Sequence, residues 1–263
     1  MLQIDQVWKD LEALRLQTPL VHNITNFVVM NNTANALLAI GAAPVMAHAV
    51  EEVEEMVGIA SALVINIGTL SPAWIEAMEK AMKAAAAREI PIVFDPVGAG
   101  ATTYRTATCR RLLDAAAPTI IRGHASEIMA LFDTGVTTRG VDSSADGTDA
   151  KTAAEALAKA YDCVVVVSGA TDLITDGERH LLVLNGHPLM PRVTGLGCTA
   201  SALVGAFAAA NPDPLLASAS AMAVMGVCGE LAAELSAGPG TLQLHLLDTF
   251  YSLTREQLAE RLK

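Results

Sequence analysis

From Pro19 to about Gly123 the chain alternates short apolar runs with longer, alanine-rich segments, and this alternation constrains the fold more than any other feature. Short runs that are apolar on both faces suit strands covered on two sides, and helical segments between them suit the crossovers of a parallel sheet. The candidate strands are Leu20 to Asn23, Ala43 to Met46, Ala62 to Gly68, Ile90 to Val97 and Pro118 to Arg122, with helical stretches such as Pro72 to Arg88 between them. Three more follow in quick succession, Cys163 to Gly169, Asp172 to Asp176 and His180 to Asn185. Connections as short as Gly169-Ala170-Thr171 and Asp176-Gly177-Glu178-Arg179 imply antiparallel hairpins at one edge of the sheet.

The remaining segments fit around that sheet. Met1 to Leu20, with Asp5, Lys9, Asp10, Glu12 and Arg15 among apolar residues, reads as an amphipathic helix of the mature fold rather than a signal peptide. Asp133 to Lys151 is polar, carries Gly135, Gly140 and Gly147, and reads as a surface loop, a lid or a connector, running into a helix over Thr152 to Tyr161. The last third is helical: Cys198 to Ala210, Leu215 to about Ser236, and about Leu242 to the end. The expectation is one α/β domain over residues 1–263, with a mostly parallel sheet, an antiparallel edge and helices on both faces. Its site lies outside the carboxyl ends of the strands.

Composition narrows the function classes. Apolar residues make up 52% of the 263 and charged residues 17%, against about 25% charged in an ordinary soluble domain, so surface must be hidden in a deep core or between subunits. Seventeen basic against 28 acidic residues give a formal charge of -11, which repels a phosphate backbone and argues against nucleic acid. The mean hydropathy of +0.40 raises the question of a membrane. The apolar stretches Thr199 to Ala210 and Leu215 to Cys228 are too short to span one and are split by Asn211-Pro212-Asp213-Pro214, so both read as buried helices. The four cysteines, Cys109, Cys163, Cys198 and Cys228, have no CxxC or zinc spacing and read as reduced thiols of a cytoplasmic protein.

Several segments carry candidate chemistry. Thr194-Gly195-Leu196-Gly197-Cys198 opens an apolar helix, placing bare N–H groups and a thiol at a positive helix terminus that suits an anion and favours a thiolate. A tight turn with an ordinary cap is the plainer alternative. With Ala200 the segment also spells G-x-G-x-x-A, but it lacks the preceding βαβ strand and the later acidic ribose ligand of a dinucleotide fold. No Gly-Lys pair occurs, which excludes a Walker A loop. Asp95-Pro96-Val97-Gly98-Ala99-Gly100 ends one strand with a carboxylate, either a metal ligand through water or the start of an Asp-Pro turn. Arg122-Gly123-His124-Ala125-Ser126-Glu127 ends the next with a cation for phosphate and a carboxylate for a hard metal. The alternative there is a surface ion pair and a first-turn helix acid. His22-Asn23-Ile24-Thr25-Asn26 leaves the first strand with amide and hydroxyl groups, and Met46 ends the second, as a cap and a core residue respectively or as site residues.

Together with Arg139-Gly140-Val141-Asp142, these segments resemble the hydroxyethylthiazole kinases of thiamine salvage, and the resemblance runs over nearly the whole chain. It implies a ribokinase-like three-layer αβα fold, a homotrimer with pockets at subunit interfaces, and ATP-dependent phosphorylation of the primary alcohol of 4-methyl-5-(2-hydroxyethyl)thiazole with magnesium (Mg2+). Carried over by position, Asn26, Met46 and Gly195 contact the thiazole, while Arg122, Ser168 and Gly197 hold ATP. Asp95 and Glu127 serve magnesium through water. Cys198 stands where the wider ribokinase group usually has an aspartate base, and cysteine there is a mark of the thiazole kinases. Two departures stand out: His124 replaces the usual Asn of Asn-x-x-Glu, and Leu196 is bulkier than the small residue expected between the two glycines. The alternatives are a Cys198-dependent hydrolase and a catalytically weak thiazole- or nucleotide-binding protein, the latter suggested by His124.

Overall fold

The computed structural model describes residues 2–135 and 149–263. Helix α1 (Ile4–Gln17) leads into β1 (Leu20–Ile24), α2 (Met30–Ile40), β2 (Ala43–Val45), α3 (Val53–Ile59) and β3 (Ala62–Asn66). Then come α4 (Pro72–Ala87), β4 (Ile92–Asp95), α5 (Thr103–Ala115), β5 (Ile120–His124) and α6 (Ala125–Gly135). After α7 (Ala150–Tyr161), the strands β6 (Val164–Ser168), β7 (Asp172–Thr175) and β8 (His180–Val183) complete the sheet. The chain closes with α8 (Leu196–Ala210), α9 (Pro214–Glu234), α10 (Pro239–Ser252) and α11 (Arg255–Arg261).

The described strands form a single sheet in the order β2-β1-β3-β4-β5-β6-β7-β8. Pairing is parallel from β2 through β6 and antiparallel for β6 with β7 and β7 with β8, as the short hairpin connections require. Strand side chains alternate between two buried clusters. Val64, Val93, Ile120 and Val166 face a core built with α1, α2, α8, α9 and α10, while Leu63, Ile65, Phe94 and Ile121 face one built with α3 to α7. Each buried Leu, Ile or Phe contributes about 1.5–3 kcal/mol, so the unbroken apolar runs identify the three-layer αβα arrangement.

Helix starts are chemically marked. Ser71 accepts a hydrogen bond from the Trp74 N–H with Pro72 as the first helical residue of α4, Thr102 caps α5, and Asp213 caps α9 through the N–H groups of Leu215 and Leu216. Such caps contribute about 1 kcal/mol each. Helix α9 is apolar and long enough to cross a membrane, but 83% of its most apolar window is buried within the fold.

The structure corrects four boundaries. The expected last helix is two, because Thr254 and Gln257 form a capping box that starts α11 afresh. Helix α8 begins at Leu196, with Gly195 as its N-cap, rather than at Cys198. The polar stretch expected to be a loop from Asp133 still belongs to α6 through Gly135, and α7 starts at Ala150 behind an Asp149 cap. Arg139-Gly140-Val141-Asp142 lies outside the described residues. Finally, six of the strands are one to four residues shorter than the apolar runs that signal them, since the outer residues of those runs turn into the connecting loops, whereas β1 runs one residue further, to Ile24, and β5 is shifted two residues on, to Ile120–His124.

Candidate active site

Sheet alternation builds the site. Asn66, Asp95, Arg122 and Ser168 each lie two residues beyond a strand valine or isoleucine of the α8-side core, namely Val64, Val93, Ile120 and Val166. A period of two therefore turns all four polar side chains to the face where α8 begins. Register aligns Asn66 with Asp95, and His124 with Ser168.

Asp95 is 1% exposed. Its Oδ2 accepts hydrogen bonds from Asn66 Nδ2 at 2.8 Å and Ser201 Oγ at 2.7 Å, and lies 4.0 Å from Arg122 Nη1. Burial pushes this carboxyl up, against the pull of Arg122 and Ser201. Its Oδ1 and the Arg122 Nε are buried without a hydrogen-bond partner. Groups like these are costly unless something pairs with them. The residues thus fit a divalent cation and phosphate. Among the described residues no three His, Cys, Asp or Glu converge as a ready ligand set.

The anion side is made by backbone and guanidinium together. Gly195 has φ +81°, and a β-carbon there would lie 2.5 Å from Val29 Cγ1, so conformation and space both demand glycine. The first helical bond of the turn is Thr199 N–H to the Gly195 carbonyl. The N–H groups of Leu196, Gly197 and Cys198 precede it and have no intrahelical acceptor. A β-carbon on Gly197 would lie 2.9 Å from Arg122 Nη1, so the guanidinium rests against this helix terminus. Arg122 Nη2 donates to Ser168 Oγ, whose hydroxyl donates to the Gly123 carbonyl. Arg122 is buried rather than part of a surface ion pair with Glu127. Leu196 is buried in the α8-side core, which accounts for its bulk between the two glycines.

Asn26 stands beside the start of α8. Its Nδ2 donates to Asn66 Oδ1 at 2.9 Å and to Cys198 Sγ at 3.4 Å, and its Oδ1 accepts from the Val28 N–H. Asn26, Asn66, Asp95 and Ser201 therefore form one hydrogen-bonded chain, with Cys198 joined at its end. Met46 is half-buried just beyond β2. Its neighbour Ala47 is tied to β1 by a 2.7 Å contact between its carbonyl and His22 Nε2. Burial holds the His22 imidazole below its usual range, so His22 is a structural tie. One expectation is corrected: burial and the nearby Asp95 charge push the Cys198 thiol up despite its place at a helix N-terminus, so the neutral thiol is favoured over the thiolate.

Glu127 has both oxygens engaged. Oε1 accepts the Gly98 N–H at 2.8 Å; Oε2 accepts the His124 N–H at 2.8 Å and contacts His124 Nδ1 at 3.1 Å. Burial works against its charge, but these hydrogen bonds together leave it below the usual carboxylate range. It stays ionised and binds the Asp95 loop to the start of α6. Asn66, Ser201 and Asp172 escaped the motif reading. Asn66 had a signal, being the polar end of the apolar strand Ala62 to Asn66. Ser201 lies one turn inside an apolar helix and had none. Asp172 accepts the Gly169 N–H at 2.9 Å beside Ser168, and burial pushes its carboxyl up to about 6.

Residues 11–256 match the model of the hydroxyethylthiazole kinase family. A hydroxyethylthiazole kinase of Syntrophus aciditrophicus is 60% identical over 261 residues, covering 98% of this chain and 96% of that one. The structure of a hydroxyethylthiazole kinase from Pyrococcus horikoshii superposes with a TM-score of 0.90 at 44% identity, covering 98% and 97% of the two chains. A ribokinase-like superfamily protein from Enterococcus faecalis, 13% identical with a TM-score of 0.66 over 97% and 96% of the chains, shares the fold. The chain thus has a ribokinase-like fold, and it belongs to the hydroxyethylthiazole kinase family.

Proposed function

We propose that the protein transfers the γ-phosphoryl group of ATP to the primary alcohol of 4-methyl-5-(2-hydroxyethyl)thiazole. The observation that carries this reading is the juxtaposition at the start of α8. Arg122 rests against Gly197, and Cys198 in the next position meets Asn26, so a phosphate site and an alcohol site adjoin.

Phosphoryl transfer passes through a loose transition state, so alignment and charge stabilisation matter more than base strength. The N–H groups of Leu196 to Cys198 and the Arg122 guanidinium bind the transferring phosphoryl oxygens, with Ser168 orienting Arg122. Asn26, Met46 and Gly195 line the thiazole site. The Cys198 thiol, neutral at pH 7, positions the hydroxyl. As the new P–O bond forms, the hydroxyl proton becomes strongly acidic and passes to an oxygen of the transferred phosphoryl group, while ADP leaves as the anion. Asp95 and Glu127 would hold magnesium, and when bound the metal would neutralise further phosphate charge.

The same reading takes the protein to be a cytoplasmic homotrimer with sites at subunit interfaces. The low charge content supports it, as do Phe27 and Val28, 66% and 70% exposed directly beside Asn26. The four free thiols fit a reducing compartment. The hydrolase reading loses its support, because the raised Cys198 thiol contacts an amide rather than an imidazole. The test is the initial rate of ADP formation with the thiazole alcohol against hydroxymethylpyrimidine and pyridoxal. Preference for the thiazole alcohol is expected; equal or better rates with either competitor would overturn the assignment.

A further inference from the structure

Arg105 breaks a local rule. It sits in the first turn of α5, capped by Thr102, where a cation opposes the helix dipole. Its described guanidinium bonds all go to main-chain carbonyls: Nη1 donates to Ile67 O at 2.6 Å and Val97 O at 2.9 Å, and Nη2 donates to Gly68 O at 2.9 Å. Those carbonyls belong to two loops, one leaving β3 and one leaving β4.

Each loop carries one half of the site. The Gly68 N–H donates to Asn66 Oδ1 at 2.9 Å, the atom that also accepts from Asn26, and a β-carbon on Gly68 would lie 2.6 Å from Asn26 Nδ2. A shift of Gly68 therefore moves Asn26. On the other loop the Gly98 N–H holds Glu127 Oε1, and a β-carbon on Gly98 would lie 3.1 Å from Arg105 Cδ. We propose that Arg105 is a positioning residue that clamps the β3 and β4 loops together and so sets Asn26 for the alcohol and Glu127 for magnesium at one fixed spacing. The inference rests on the roles proposed above for Asn26 and Glu127. A planar fork can span three carbonyls, whereas a lysine ammonium is a point charge on a flexible stem.

The test is steady-state kinetics of Arg105→Lys and Arg105→Gln beside Asn26→Ala and Glu127→Gln, with melting temperatures of all four. For Arg105→Lys the expectation is a rise of about five- to twenty-fold in both the KM for the thiazole alcohol and the half-saturating magnesium concentration, with Tm within about 3 °C of wild type. Arg105→Gln should shift both constants the same way and at least as far. A folded Arg105→Lys with both constants unchanged would overturn the inference, as would a loss confined to the active fraction. If Asn26→Ala raises the alcohol KM and Arg105→Lys does not, the clamp fails while the Asn26 assignment stands. If Asn26→Ala has no effect, the Asn26 assignment falls and takes the substrate half of the inference with it. Glu127→Gln decides the magnesium half in the same way.

Discussion

The guanidinium of Arg122 lies where the side chain of residue 197 would otherwise be, since a β-carbon on Gly197 would stand 2.9 Å from Nη1. A buried cation, 4% exposed, is thereby brought onto the N-terminus of α8, and two sources of positive potential act on one point. On the proposed reading, that convergence would let a protein of formal charge -11 bind a polyphosphate. Two remedies act within a Debye length, about 8 Å at physiological salt, while the surface as a whole repels anions.

Replacing Gly197 should accordingly be costly. Gly197→Val should lower kcat/KM for ATP by at least about a hundred-fold, the scale of losing oriented transition-state donors, and more than any single change at Cys198. Wild-type kinetics in a folded Gly197→Val protein would remove the helix terminus from the mechanism.

In the proposed mechanism Cys198 positions the hydroxyl rather than ionising. Cys198→Ala should lose about three- to thirty-fold in kcat, short of the larger effects of general base removal, and Cys198→Asp should keep substantial turnover. Alkylation of Cys198 should be slow at neutral pH, since burial beside Asp95 raises the thiol. It should quicken in alkaline solution and be slowed by bound substrate. Full activity in Cys198→Ala would eliminate any role for the thiol.

Glu127 keeps its charge through the Gly98 and His124 N–H donors and its contact with the His124 ring. Glu127→Gln should raise the magnesium requirement by about ten-fold while the protein remains folded, a loss of the size expected when a group that orients metal ligands is removed. An unaltered magnesium titration would place Glu127 outside the metal's environment.

Asp172 gives a pH prediction. Its folded carboxyl, at about 6, lies above an unfolded aspartate at about 3.9, so the folded state binds the proton more tightly. The stability it contributes is complete below about pH 4 and is lost as pH rises through about 6. Asp172→Asn keeps an acceptor for the Gly169 N–H and removes the charge. It should match wild type near pH 4 and be more stable at pH 8 by up to about 2–3 kcal/mol, read from thermal melts at both values. A variant less stable than wild type at pH 8 would show that the ionised carboxylate is favourable in the fold.

Much of this was legible before any coordinates. Runs such as Ile92 to Phe94, apolar at every position, require cover on two faces, and hairpin-length connections after Ser168 require an antiparallel edge. Asp95 and Arg122 stand out because each is polar where an apolar run ends, and Asn26 because the first strand leaves through amide and hydroxyl groups. What stayed hidden depends on distance. Ser201 reaches Asp95 from inside an apolar helix 106 residues away in sequence, and Arg105 resembles any surface arginine until its three carbonyl partners are known. The helix dipole at Cys198 is local and readable from the sequence, whereas the burial and the Asp95 charge that outweigh it arise only on folding.

Direct transfer at the α8 terminus is tested most directly by the stereochemical course at phosphorus. With ATP carrying an isotopically chiral γ-phosphate, in-line transfer to the alcohol held beside Cys198 predicts inversion of configuration in the thiazole phosphate. Retention would mean two successive displacements through a phosphorylated protein group, with Cys198 the nearest nucleophile, and would contradict the mechanism.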